Sequence, residues 1–454
     1  MSEVNTTNDV KIANKLQKLI DELGIGLVSS EINNFVDGGV CAAKGWKANG
    51  IHCGLAHKAL TETEEKSQAA NNALPTNKKN DLAMIMSDKR AAAAAVYTTN
   101  KVKGAPLTVT KENLADGYAQ GVIVNSVNAN TCNADGIEKA KKMGELAAKA
   151  MGISPADMVI ASTGVIGQVL PIEPIEKGIP ALYAGLSYTG NDEAVKAIMT
   201  TDTKPKEIAV EFEIGGKTCH IGGMLKGSGM IHPNMATTLT FITSDVSISP
   251  EMVKKALCDN VQSTLNCVSV DGDMSTNDMC VVMANGAAGN AEITEENDDY
   301  GIFCEALWTV MVNLARFMAR DGEGATKLIE CNVKGAESFE TAKIAAKSVI
   351  MSSLFKAAMF GEDANCGRIM CALGYANADY DVNKIDIDIA SPGGYLNVCK
   401  QGSLLDFDEV LAKKILVETD ITIIIDLNQG ENGAMAWGCD LTYDYVKING
   451  DYRS

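Results

Sequence analysis

KGSGMIHPNMATTLTFITSD, residues 226–245, is the stretch around which the rest of the chain is read. Gly227 and Gly229 let the backbone bend, Pro233 fixes a turn, and the small Ala236 precedes Thr237, which opens an apolar, strand-like run over 237–242. Just upstream, Ile208, Val210, Phe212 and Ile214 recur at every second position. Gly215-Gly216 follows, and 217–224 carries on, which predicts a β-hairpin. Antiparallel pairing of this kind beside helical stretches places the chain in the α+β class.

Towards the N-terminus, 121–124 and 82–86 read as buried strands and 91–99 as a small-residue packing segment. A helix is predicted over 137–151, stopped by Gly152, and the polar tract 57–80 reads as a surface insertion. Ile12, Leu16, Leu19, Ile20 and Leu23 recur at helical spacing and predict a short amphipathic helix outside the main fold. Towards the C-terminus, Ser249-Pro250 opens a helix to about Asn260. Further helices are expected over 299–319 and, unbroken, over 338–360, and 421–427 reads as the last buried strand. The polar stretch 285–300 is the natural place for a domain boundary.

Across its 454 residues, 58 Asp+Glu outweigh 40 Lys+Arg for a formal net charge of -18, which argues against nucleic acid or a membrane surface as the main partner. No run of 18 apolar residues is present, so no transmembrane helix is expected, and 1–10 lack the apolar core of a signal peptide. The 13 cysteines contain no CxxC pair, which fits neither a disulfide framework nor a zinc ribbon and suits a reducing cytoplasm.

Phosphate-loop, HExxH, GxSxG and kinase signatures are all missing. With only four histidines, His52, His57, His220 and His232, imidazole-based catalysis has few rings to use, and His232 reads as a loop residue. Nucleophilic chemistry can proceed without histidine if the nucleophile's own α-amine is the base, which requires chain cleavage just before it. Thr237 suits this. Its hydroxyl can attack the preceding carbonyl in an N-to-O shift, and the freed α-amine, with a reference pKa of about 7.7–8.0, can act as a base near neutrality.

The same segment closely resembles the autoprocessing region of the ornithine acetyltransferase family, glutamate N-acetyltransferases of arginine biosynthesis. GGVCAAKGWKANG (38–50), NSVNANTCNADG (125–136), STGVIGQVLP (162–171), IMTTDTKPK (198–206), SVDGDMSTNDMCVVMANG (269–286), DGEGATKL (321–328) and DLTYDYVKINGDYRS (440–454) match it in order. The resemblance implies an αββα-type layered sandwich with a second, smaller α/β domain. The corresponding division is an extension over 1–37, a catalytic domain over 38–290 and a C-terminal domain over 291–454 that completes the substrate site.

It further implies cleavage between Ala236 and Thr237, giving chains of 236 and 218 residues. Thr237 would then carry acetyl from N2-acetylornithine to glutamate, with the Thr163 hydroxyl and the Gly164 N–H as oxyanion hole. Thr203, Lys226, Thr237, Glu323, Asn449 and Ser454 would bind substrate, Thr201 being the alternative register for Thr203. No metal and no cofactor is implied, and the expected assembly is a cytoplasmic α2β2 heterotetramer. Whether acetyl-CoA is a second donor stays open. So do two other readings: a self-processing hydrolase that passes the acyl group to water, and an uncleaved binding protein of the same fold. The sequence departs from the family pattern at Ala364 and Cys366, where Pro and Trp are frequent, and at Val127, where Gly is usual.

Overall fold

The computed structural model describes residues 14–55, 79–232 and 238–451. Among these, two sheets carry an α+β fold. β1 (Asn34–Val36), β2 (Trp46–Ile51), β3 (Leu82–Tyr97), β4 (Tyr118–Asn125), β5 (Met158–Ser162), β6 (Lys206–Ile214), β7 (Lys217–Lys226), β8 (Leu239–Ser244) and β9 (Met279–Ala284) make the first. Its order is β1-β6-β7-β8-β9-β3-β4-β5, with β2 on β3, and the β4–β5 and β8–β9 pairs are parallel. The second comprises β10 (Leu328–Ala336), β11 (Asp386–Ser391), β12 (Gly394–Lys400), β13 (Ser403–Leu404), β14 (Asp420–Asp426) and β15 (Asn432–Cys439), in the order β13-β12-β11-β14-β10-β15.

The expected hairpin is β6–β7, with Ile214 opposite Lys217. Of the segment 91–99, read as packing, residues 91–97 belong instead to the long strand β3. Ala91 and Ala92 pair with β4 and Ala92–Ala95 with β9, and in the β4 pairing a register shift lies between Met86 and Ala91. Because side chains alternate across a strand, β3–β5 serve two cores. Ala83, Ile85, Val122, Val124, Val159 and Ala161 pack with Leu239, Phe241, Met279 and Val281 of β8 and β9. Their neighbours Leu82, Met84, Ile123, Met158 and Ile160 pack instead against the helices Gly136–Met151 and Ile172–Ala184.

The opposite face of β6–β9, with Val210, Phe212, Ile242 and Val282, joins a third core built on the helices Pro250–Ser263 and Asp298–Arg320, which runs on into the second sheet. Asn297 caps the longer helix by accepting from the Tyr300 N–H, and Asp298 and Asp299 lie where the helix dipole favours negative charge. This helix is long and apolar enough to cross a membrane by length and composition, but 78% of its most apolar window is buried inside the protein. It is a core helix.

Three further expectations are corrected. The N-terminal helix Asn14–Leu23 is not outside the main fold: Leu16, Leu19, Ile20 and Leu23 are buried in the main core, each worth roughly 1.5–3 kcal/mol. Lys15 pairs with Asp192, and Glu22 with Lys204. The single helix expected over 338–360 is two, Phe339–Met351 and Ser353–Phe360, because Ser352 leaves helical geometry and its side chain caps the second by accepting from Phe355 N–H. Strand β14 is not the last; β15 follows and pairs with β10.

Candidate active site

The parallel register of β8 and β9 sets which residues meet at the start of the two strands. Leu239 lies opposite Met279, so the residues just before each strand, Thr238 and Asp278, meet at the same end of the sheet. The Thr238 N–H donates to Asp278 Oδ1 at 2.6 Å, and the Met279 N–H donates to the Thr238 carbonyl at 2.7 Å. Thr238 has φ of 91°, a conformation rare for a β-branched residue that costs on the order of 1–3 kcal/mol. Ala236 and Thr237 lie outside the described residues, as does Ser454. Thr238, which lines this cleft, is joined to Thr237 by one peptide bond.

Thr163 lines the same cleft from the end of β5, and Gly164 follows it in the chain. The Asn277 amide, just before β9, donates to the carbonyls of Ala129 at 2.6 Å and Ser162 at 2.9 Å, tying the loops after β4 and β5 to the start of β9. The Thr163 N–H is bound to the Asn125 carbonyl and the Val165 N–H to the Val127 carbonyl. Between them, the Gly164 N–H and the Thr163 hydroxyl donate to no described residue. Gly164 has φ of 129°, and a Cβ there would lie 2.1 Å from the Val127 carbonyl carbon, so glycine is required for the loop to close. Val127 itself has φ of 87°, the left-handed geometry for which the usual glycine is suited.

Lys226, the last residue of β7, sits opposite Leu239 and lines the cleft. It is 8% exposed and forms no salt bridge with a described residue; burial pulls its pKa below the ordinary lysine value despite Asp202, Asp278 and Glu323 nearby. Directly behind it lies a second charge cluster of opposite character. Lys206 pairs with Asp202 at 2.7 Å and with Asp321 at 2.5 Å, all three being buried. Burial pulls Lys206 down and Asp202 up, but the opposite charges and their hydrogen bonds outweigh it: Lys206 is raised and Asp202 falls well below the carboxylate range. Asp202 also accepts from the Gly227 N–H at 2.7 Å, which fixes the start of the Gly-rich loop.

A scan against family models matches residues 66–454 to the ArgJ family. The chain belongs to the ArgJ family. It is therefore an acetyltransferase of arginine biosynthesis, in a family of self-processing N-terminal-threonine enzymes. The arginine biosynthesis bifunctional protein ArgJ of Caldanaerobacter subterraneus is 46% identical over 92% of this chain and 99% of its own length. ArgJ 1 of Clostridium acetobutylicum is 50% identical over 83% and 93%. Among solved structures, ornithine acetyltransferase from Mycobacterium tuberculosis, crystallised with ornithine, is 29% identical, with a TM-score of 0.37 over 45% of this chain and 100% of that one.

Against this ArgJ frame, the substrate residues expected from sequence divide. Lys226 lines the cleft with Thr163, whereas Glu323 touches the loop that leads from it: a Cβ on Gly229 would stand 2.3 Å from the Glu323 carboxyl carbon. Asn449 donates to Glu323 Oε2 at 2.7 Å, so the C-terminal helix Tyr443–Asp451 reaches the same place. Thr203 is exposed, and its hydroxyl is engaged by Asp321. His232 faces the Ser269 hydroxyl at 3.2 Å, and burial lowers its pKa to about 4, which leaves it a neutral loop residue at neutral pH.

Sequence reasoning passed over Asp202, Asp321, Asn277 and Asp278. A signal for the last two was present: Ser275-Thr-Asn-Asp278 is a polar run directly before the wholly apolar strand β9.

Proposed function

We propose that the chain cleaves its own Ala236–Thr237 bond and then transfers acetyl from N2-acetylornithine to glutamate through an acetyl ester on Thr237. The observation that carries this reading is that Thr163, whose Oγ1 donates to no described residue, lines the cleft that Thr238 also lines, with the equally uncommitted Gly164 N–H next to it in the chain. Once freed, the Thr237 amine takes the hydroxyl proton as Oγ attacks the acetyl carbonyl; the two donors stabilise the oxyanion, and ornithine leaves. Glutamate enters the same site and the sequence runs in reverse. One amide is exchanged for another, so the transfer is nearly thermoneutral.

A substrate pocket that admits ornithine and glutamate in turn must meet an ammonium and two kinds of carboxylate. Lys226 supplies the positive group; Glu323 held by Asn449 supplies the negative one, with Thr203, Thr237 and Ser454 as polar contacts. Packing of two helix layers on the outer faces of β3–β5 and β6–β9 supports the αββα layered reading. We take the working form to be a cytoplasmic α2β2 assembly.

The test is direct. Purified protein should run as two chains on a denaturing gel, and initial rates with both substrates should give the parallel double-reciprocal lines of ping-pong transfer. Thr237→Ala should run as one chain and transfer nothing. Acetate release at the rate of acetyl loss would favour the hydrolase instead. Glutamate acetylation from acetyl-CoA separates a two-donor enzyme from a one-donor enzyme.

A further inference from the structure

The mechanism above works only after cleavage, because the Thr237 nitrogen becomes a basic amine only when its peptide bond to Ala236 is broken. The processing step needs another proton acceptor, and the carboxylates around the cleft can be compared for that role. Asp271 accepts from the N–H groups of Met230, Ile231 and Asp273 and from the Tyr445 hydroxyl. Asp202 holds Lys206, Gly227 and Thr200, and Asp321 holds Lys206 and Thr203. All three have both oxygens engaged. Glu323 is held by Asn449, beyond the Gly-rich loop.

Asp278 differs. Its Oδ1 is anchored by the Thr238 N–H, while Oδ2 is buried and has no hydrogen-bond partner among the described residues. A buried carboxylate oxygen without a donor is costly unless the group is neutral or has a task.

We propose that Asp278 is the proton acceptor of chain processing: Oδ2 takes the Thr237 hydroxyl proton during the N-to-O shift and returns it to the departing nitrogen. This inference rests on the cleavage reading given above. In balance, Oγ bonds to the Ala236 carbonyl carbon as its proton moves to Oδ2. The carbon–nitrogen bond then breaks, and the proton from Oδ2 completes the new amine. Water hydrolyses the resulting ester to the Ala236 carboxyl group and the Thr237 hydroxyl. Asp278 is unchanged at the end.

The surroundings suit a proton carrier that works near neutrality. Burial pushes the Asp278 carboxyl up to about 7, against the pull of the Thr238 N–H, Ser275 and the charge of Lys226. Lys226 is the other charged side chain lining this cleft among the described residues, and Asp202 and Lys206 stand behind it. His232 is turned to Ser269 and carries no charge at neutral pH.

The experiment follows cleavage of the full chain made by cell-free translation, pulse-labelled and then transferred to buffers from about pH 5.5 to about pH 8.5. The wild-type rate should climb through a midpoint near pH 7 and level off. Asp278→Asn keeps an oxygen for the Thr238 N–H but cannot take the proton; it should cleave at least about 100-fold more slowly and show no such midpoint.

Wild-type-like cleavage by Asp278→Asn would overturn the proposal, as would a chain of that variant that hydroxylamine splits at residue 237, since the ester would then have formed without the acid. If Asp278→Asn melts well below the wild-type precursor, the wild-type profile decides alone, and a flat one refutes the assignment. Thr237→Ala keeps the two failures apart. Cleavage of that variant sinks the processing site itself, whereas an inert Thr237→Ala beside a normal Asp278→Asn sinks only the role of Asp278.

Discussion

Two buried charge clusters stand back to back in this protein, and they resolve burial in opposite ways. In the first, Lys206, Asp202 and Asp321 are mutually paired, the lysine pKa is raised and the Asp202 pKa lowered. In the second, among the described residues, Lys226 has no ion pair and Asp278 Oδ2 has no donor; here the lysine is lowered and the carboxyl raised. The first cluster is a clamp. It ties the start of β6, the Gly-rich loop and the end of the helix Asp298–Arg320 together. The second is left unsatisfied in the cleft where the proposed mechanism brings substrate and nucleophile together, which is where perturbed groups are expected to gather.

Removing the clamp should have the largest effect. Lys206→Ala leaves two carboxylates buried without a cation and should cost roughly 3–5 kcal/mol, read as a lower midpoint of denaturant unfolding. A loss under about 1 kcal/mol would erase the distinction between the clusters. Next in size, Thr163→Ala removes one uncommitted oxyanion donor and should lower kcat by about 10²–10³-fold, with stability nearly unchanged. Steady-state kinetics on the processed enzyme measures it, and an unchanged kcat would remove Thr163 from the oxyanion site.

Lys226→Met sharpens the contrast from the other side. It should lower kcat/KM about tenfold to a hundredfold, mainly through KM, while the unfolding midpoint stays level or rises because an unpaired buried ammonium is gone. A fall in stability like that of Lys206→Ala would make both lysines structural.

The last contrast is one of pH response. Asp278 is raised from 3.8 to about 7, so its contribution to stability is full below pH 3.8 and is lost as pH rises through 7. Asp202 is lowered, so its contribution is full above pH 3.8 and is lost as pH falls below it. The stability of the wild-type chain relative to Asp278→Asn should therefore decline between about pH 4 and about pH 7, as measured by unfolding at a series of pH values. Parallel curves would contradict the raised carboxyl.

Much of the site was legible because its chemistry is local: a Gly-rich loop, a small residue and a threonine before a strand lie together in 226–245, and the STG turn follows an apolar run. What escaped depends on strand register. Asp202, Asp321 and Asp278 read as ordinary acids until parallel pairing of β8 and β9 and the contact with the helix Asp298–Arg320 bury them. The same holds for the fold. The alanines of 91–95 have poor strand preference and become a strand because β4 pairs with Ala91 and Ala92 and β9 with Ala92–Ala95. Likewise, the helical pattern through 338–360 gave no sign that Ser352 would cap a second helix.

The account stands or falls on what Thr237 becomes. Intact and peptide mass spectrometry of the enzyme incubated with N2-acetylornithine alone tests this most directly. The expected result is two chains of 236 and 218 residues, the second carrying one acetyl group on Thr237 that glutamate removes. A single chain of 454 residues active in transfer, or an acetyl group on any other residue, would contradict it.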